Sequence, residues 1–246
     1  MRNHLVTLGL ALVLAACNGA SDDPHKVLGL DHLQGMPGLI PPGSSGNNRG
    51  VGGKVTGESC VSSDPNHVCL ALKYVSYQTE SGQAIISADA AVENVKQINK
   101  LWAQCNLGFQ IETYVAANPA AYGLNYSTAN YTELDQIRNS FLDDHTLLVV
   151  TTGDWNRAGT LGSTGANAWT SLPDGPPYGA VLEKPVGSFA NIIAHELGHY
   201  LNLQHVSDNG DLMNPIIYES STHLGANQCE EARLAATYWW QNMLRS

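Results

Sequence analysis

Residues 192–205 read IIAHELGHYLNLQH and contain the motif HExxH at 195–199. This motif falls within a predicted helix, in which His195 and His199 stand four residues apart on the same face. Both imidazoles can therefore reach one metal ion. Glu196 lies beside that face, where its carboxylate can take a proton from a water molecule without being a metal ligand.

A third histidine, His205, follows six residues after His199. If the helix ends sharply between them, His205 completes a set of three neutral imidazoles, which leaves zinc an open position for water. Such a site acidifies its water and polarises a carbonyl group. We therefore expect one catalytic Zn²⁺ on His195, His199 and His205, with Glu196 as the general base.

The extended motif resembles the signature of the metzincin zinc metallopeptidases, HExxHxxGxxH followed by a methionine turn. Residues 211–215, DLMNP, match that turn, and their spacing from His205 is most similar to the matrixin branch. The specific resemblance covers about residues 192–218. It implies an α/β (α+β) fold with a twisted mixed sheet, one antiparallel edge strand, the active-site helix below the sheet, the methionine turn and a C-terminal helix.

The same resemblance implies roles for two residues after the histidines. Met213 would form the hydrophobic floor beneath the zinc. Tyr218 lies five residues further on, and its spacing matches no family tyrosine cleanly. A wall of the substrate pocket is the favoured role for Tyr218, and a packed surface tyrosine is the alternative.

The chain departs from the family pattern in three places. The family glycine between the second and third histidines, which adopts a left-handed conformation, is Asn202 here. Asn tolerates that conformation best among the other residues. The loops that bind structural zinc and calcium in matrixins have no evident counterpart, so we expect no second zinc, and calcium is not favoured. Cys60 lies in GESCV, without the context of the family's cysteine switch.

The rest of the pattern predicts an alternation of strands and helices typical of an α/β domain with a mixed sheet. A helix capped by Ser87, a helix with a Thr132–Asp135 capping box, and the active-site helix capped by Ser188 are expected. The expected strands are 68–77, 109–115, 146–152 and 179–183, with an edge strand and loop over 159–172; the helices are 88–104, a short one around 137–141, 189–201 and 228–244.

The N-terminus has the composition of a targeting segment. Residues 1–16 read as a signal peptide, and LAAC at 14–17 resembles a bacterial lipobox that would place lipid on Cys17. An ordinary signal peptide with a chance cysteine is the alternative. Residues 17–57, rich in Gly, Pro and Ser, predict a flexible tether or a short propeptide. Residues 58–246 would form the peptidase domain.

Four cysteines remain beyond Cys17, and an even number in an exported protein suggests two disulfides. Three pairings are possible. We favour Cys60–Cys69, which closes a short local loop, and Cys105–Cys229, which ties the end of one helix to the start of another. Free thiols are the alternative.

Charge and composition restrict the partners. The formal net charge of −10 argues against nucleic-acid binding, which needs a basic face. We expect a monomer that acts on a protein or peptide substrate and contacts a membrane only through its lipid anchor. The expected location is outside the cytoplasm, anchored to a bacterial outer membrane or cell surface, or released.

The favoured function is a zinc-dependent endopeptidase that hydrolyses extended protein substrates with metal-activated water. A membrane-anchored binding or adhesion protein on the same scaffold is one alternative, although the intact Glu196 argues for catalysis. A zinc amidase acting on cell-wall peptides is another. An edge strand over residues 159–172, suited to extended peptides, favours the endopeptidase.

Overall fold

The computed structural model describes residues 56–246, and its framework is one six-stranded mixed sheet. The strands are β1 (Val68–Tyr77), β2 (Leu107–Ala117), β3 (Leu147–Thr151), β4 (Ala168–Trp169), β5 (Ala180–Leu182) and β6 (Leu244–Arg245). Their order is β2-β1-β3-β5-β4, and β6 also pairs with β1. The signal peptide, Cys17 and nearly all of the tether lie outside the described residues.

The pairing matches the predicted mixed sheet with an antiparallel edge strand. β1 runs parallel to β2 and β3, and β3 runs parallel to β5. β4 is antiparallel to β5 at one edge, and the short β6 is antiparallel to β1. This confirms the predicted fold class.

Among the described residues, five α-helices cover the two faces of the sheet: α1 (Ala88–Trp102), α2 (Tyr131–Phe141), α3 (Thr160–Thr164), α4 (Ala190–Tyr200) and α5 (Ala226–Tyr238). The core residues of α1, α4 and α5 share one apolar cluster, whereas those of α2 and α3 belong to a second cluster. Strand residues alternate between the clusters: Leu147 and Val149 belong to the first, Leu148 and Val150 to the second. The sheet is therefore buried on both faces.

Two predicted helix caps are wrong. α2 is capped by Asn130, whose side chain accepts from the Glu133 amide at 3.0 Å, and Thr132 lies inside the helix. Asn130 lies one residue before the helix, so its oxygen reaches that third amide. Ser188 belongs to a 3-10 turn and donates to the carbonyl of Pro185. α4 begins after Phe189 without a side-chain cap.

The edge strand and the last helix show the largest changes from the predicted boundaries. Residues 159–172 contain α3, and only Ala168–Trp169 form the edge strand. The last helix starts at Ala226 and ends at Tyr238 rather than Leu244. The chain leaves the helix because Trp240 is buried, with its indole N–H donating to the carbonyl of Tyr200 at 2.7 Å.

Within residues 56–246, no helix is long and apolar enough to cross a membrane.

Both disulfides favoured from the sequence are present. Cys60–Cys69 ties the first described residues to β1 across nine positions. Cys105–Cys229 joins the 3-10 turn that follows α1, Ala103–Cys105, to α5 across 124 positions. The second bond therefore links two helices that are distant in the sequence and share the apolar cluster beneath the sheet.

Candidate metal centre

The structure brings His195, His199 and His205 together at the end of α4. The Nε2 atoms of the first two lie 3.1 Å apart, and His205 Nε2 lies 3.2 Å from that of His199 and 3.3 Å from that of His195. His195 and His199 are buried, and His205 is partly exposed. The three Nε2 atoms therefore converge on one point, and the partly exposed His205 marks the side of this point that is nearest to solvent.

Backbone carbonyls fix the direction of two of these rings. His195 Nδ1 lies 2.7 Å from the carbonyl of Leu212, and His199 Nδ1 lies 2.8 Å from the carbonyl of Leu203. A carbonyl only accepts, so in both rings Nδ1 carries the hydrogen and donates it. Each neutral ring then presents the lone pair of its Nε2 to the point of convergence.

The surroundings keep all three rings neutral. Burial, with a smaller contribution from the nearby His199, lowers the pKa of His195 well below its usual value. Burial, aided by His205, lowers the pKa of His199 to about 3, and burial also lowers the pKa of His205. At neutral pH, protons therefore do not compete for the three lone pairs.

This arrangement fits a zinc ion. Three nitrogen ligands of a tetrahedral zinc ion, each about 2.0–2.1 Å from the metal, lie about 3.3–3.4 Å from one another. The observed separations of 3.1–3.3 Å are close to that value. Three lone pairs this close repel one another unless a cation lies between them. The donor set, all neutral imidazole, is one that zinc prefers.

The turn after α4 explains how His205 returns to the other two histidines. Asn202 has a φ of 68°, in the left-handed region. The amide of Asn202 donates to the carbonyl of His199 at 3.0 Å, and the amide of Leu203 donates to that of Gly198 at 2.9 Å. These two bonds are the Schellman motif, which ends a helix through one left-handed residue. Asn202 thus takes the place of the family glycine.

Asn202 is also tied to the C-terminal helix. Its side-chain amide donates to Glu231 Oε1 on α5 at 2.7 Å. Glu231 is half-buried, and burial raises the pKa of its carboxyl. The asparagine side chain therefore gives Glu231 a hydrogen-bond donor that glycine could not supply.

Replacing Asn202 by Ala is expected to weaken zinc binding about tenfold and to destabilise the fold by about 1–2 kcal/mol. Alanine has the full steric cost of the left-handed conformation, and it also lacks the side-chain amide that bonds to Glu231. Asn202→Gly is the matched control, because glycine adopts this conformation freely and loses only the bond to Glu231. Zinc competition with a chelator and urea unfolding measure both quantities. If the two variants had the same zinc affinity and the same free energy of unfolding, backbone strain at position 202 would not determine either quantity.

Met213 is fully buried and packs beneath α4 at Gly198. A Cβ at Gly198 would lie 2.4 Å from the Met213 sulfur, so only glycine permits this approach. Asp211 supports the turn: its buried carboxylate accepts from the amide of Met213 at 2.7 Å and from Gln228 on α5 at 3.1 Å. The methionine thus lies under the helix turn that separates His195 from His199.

Glu196 is fully buried on α4 beside the histidines. Its Oε2 accepts a hydrogen bond from the hydroxyl of Thr170, 2.6 Å away, at the end of β4. Sequence reasoning did not single out Thr170. The alternation along β4 is the only feature of the sequence that bears on Thr170, because it places Ala168 and Thr170 on the same face of the sheet. The register of β4 on β5 turns this face toward α4, and that register depends on the tertiary structure.

The loop that leads into β4 is fastened to the end of β5. Glu183 is buried, accepts from the amide of Trp155 at 2.7 Å and from the Asn167 side chain at 2.6 Å, and forms an ion pair with Arg157. These contacts fix the edge strand relative to the rest of the sheet.

Tyr218 lies near the start of α4 and is half-buried. Its amide donates to Ser221 Oγ at 3.0 Å, and its carbonyl lies 3.4 Å from the Asn191 side chain. The segment after the methionine turn therefore runs past the first turn of α4, one turn before His195. Tyr218 is not part of the group formed by the histidines and Glu196.

Comparison with known proteins gives one sequence match and several structural ones. The Peptidase M10 family model, described as matrixin, matches residues 64–233. Metalloproteinase II from Bacteroides fragilis is 14% identical over 68% of this chain and 53% of its own, with a TM-score of 0.47. Archaemetzincin from Methanopyrus kandleri is 13% identical over 72% of this chain and 99% of its own, with a TM-score of 0.44. No curated protein sequence matches. The chain thus spans about half the length of the Bacteroides protein.

Proposed function

Since the chain belongs to the matrixin family of zinc metallopeptidases, we propose that it is an endopeptidase that cleaves extended stretches of protein or peptide. The observation that carries the proposal is the position of β4. This strand is the last in the sheet order, and the residue that follows it contacts Glu196. A substrate strand added at this edge would pass directly over the histidines.

The edge strand supplies the binding mode. An extended peptide joins a sheet at its edge through main-chain hydrogen bonds, and pockets for alternate side chains give specificity. β4 is held in place by its pairing with β5 and by the Glu183 contacts, so the edge is a fixed template. We assign Tyr218 to the wall of the pocket beyond the scissile bond, because its segment borders the start of α4.

The histidines would hold the metal, and Glu196 would move the protons. His195, His199 and His205 are the ligands, and a bound zinc ion would supply Lewis-acid polarisation of the scissile carbonyl and acidify the attacking water. Glu196 takes the proton that the water loses as it attacks the carbonyl carbon. Glu196 then gives this proton to the nitrogen of the leaving amine as the peptide bond breaks.

Cleavage of unfolded casein tests the proposal. We expect the protein isolated with zinc to cut casein into peptides, to lose this activity when a chelator removes the metal, and to regain it when zinc is restored. Product peptides with internal cleavage sites would distinguish an endopeptidase from an enzyme that trims chain ends.

Zinc binding without cleavage of casein or of any unfolded protein would contradict the proposal. Such a result would favour a binding protein on this scaffold. Cleavage of cell-wall peptides alone would instead favour the amidase.

A further inference from the structure

The contact between Thr170 and Glu196 joins the edge strand to the base of the reaction. The Thr170 hydroxyl lies 2.6 Å from Glu196 Oε2, and the two residues are 4% and 0% exposed. The hydroxyl is the donor and the carboxylate oxygen is the acceptor. Breaking a hydrogen bond in such a buried place would leave polar groups unsatisfied, so the bond restrains both side chains.

We infer that Thr170 is a positioning residue that fixes the orientation of the Glu196 carboxylate during proton transfer. Glutamate has three rotatable side-chain torsions, and packing alone does not fix the plane of its carboxylate. The bond to Thr170 restricts that plane at Oε2, and with it the direction in which Oε1 points relative to the three imidazoles. The inference rests on the proposed function, because it assigns Glu196 the role of base.

Threonine suits this task for two physical reasons. Its branched Cβ restricts χ1, so the hydroxyl is held by a stiff side chain. Its backbone follows directly on β4, whose partner in the sheet is β5. The hydroxyl is therefore attached to the rigid part of the domain rather than to a mobile loop.

The contact has a geometric consequence for the substrate. In the proposed binding mode, the peptide aligns with β4 by main-chain hydrogen bonds, and Glu196 is bonded to Thr170, the residue that directly follows β4. The scissile carbonyl and the base thus take their positions from one strand. Misplacement of either by about 1 Å is enough to cost as much as a hundredfold in rate.

Thr170→Val tests this assignment, because valine has the same shape and lacks the hydroxyl. We expect kcat to fall by about tenfold to a hundredfold while KM changes less than about threefold. Thr170→Ser restores the hydroxyl and is expected to recover most of kcat. Zinc content should be the same in all three proteins, since Thr170 is not among the ligand group.

A second measurement uses the metal-free protein and needs no activity. In a double-mutant cycle, Thr170→Val should lower the melting temperature by about 3–6 °C when Glu196 is present. The same substitution should have little effect in the background of Glu196→Ala, where the acceptor is gone.

The outcomes distinguish a failure of the proposed peptidase function from a failure of the role of Thr170. An inactive wild-type protein would defeat the proposed function itself. An active wild type with a Thr170→Val variant of unchanged kcat, or with Thr170→Ser as impaired as Thr170→Val, would overturn the role of Thr170 and leave the peptidase assignment intact. Additive effects in the double-mutant cycle would also overturn it.

Discussion

Replacing Glu196 by Gln is expected to lower kcat about a thousandfold and to leave the zinc content unchanged. Glutamine has the same shape, and its amide oxygen can still accept the hydrogen bond from Thr170. It cannot take a proton from water at neutral pH, so the proton transfer that we assign to Glu196 would be lost. Turnover of an internally quenched peptide and metal analysis of the purified variant measure the two quantities.

An exposed glutamate gives the control for this variant. Glu80 lies in the turn after β1 and is exposed. Glu80→Gln removes the same charge and should change neither turnover nor zinc content. If Glu196→Gln kept wild-type turnover, another group would have to act as the base, and the assignment of Glu196 would be wrong.

Removing the Cys105–Cys229 disulfide is expected to lower the free energy of unfolding by about 5 kcal/mol. The bond closes a loop of 124 residues, and loop closure restricts the unfolded chain more as the loop grows. A domain with an ordinary stability of about 5–15 kcal/mol would lose much of its margin. Urea unfolding of the variant with both cysteines replaced by alanine measures the change.

The other disulfide is a matched comparison within the same chain. Cys60–Cys69 closes a loop of only nine residues, so its removal should cost about 2.5 kcal/mol. The ratio of the two losses in unfolding free energy tests the loop-closure explanation more directly than either loss alone. Equal losses would indicate that local packing around the cysteines, rather than loop closure, determines their contribution.

The sequence predicts best where the chemistry depends on spacing along one element. The four-residue interval of His195 and His199 requires a helix, and the structure supplies α4. Asn202 falls where the chain must turn back toward His205, and the backbone there has the predicted left-handed conformation. These features are local, because each depends on residues a few positions apart.

The sequence predicts poorly where the outcome depends on contacts between distant residues. Thr170 reaches Glu196 only because the register of β4 on β5 turns it toward α4. The last helix stops at Tyr238 because Trp240 packs against Tyr200, 40 residues earlier in the chain. The alternation along β4 indicates on which face Thr170 lies, but no pattern near Thr170 or Trp240 indicates the residue that each one contacts.

The conformation of Asn202 has a consequence for finding related enzymes in genomes. A search pattern that demands glycine three residues after the second histidine would discard this chain, although its three imidazoles converge as a zinc site requires. What the turn needs is a backbone torsion, and two residue types supply it readily. A pattern written as HExxHxx[GN]xxH, combined with a following methionine, would recover chains like this one. It would still require the three histidines, the glutamate and the methionine that make the motif specific.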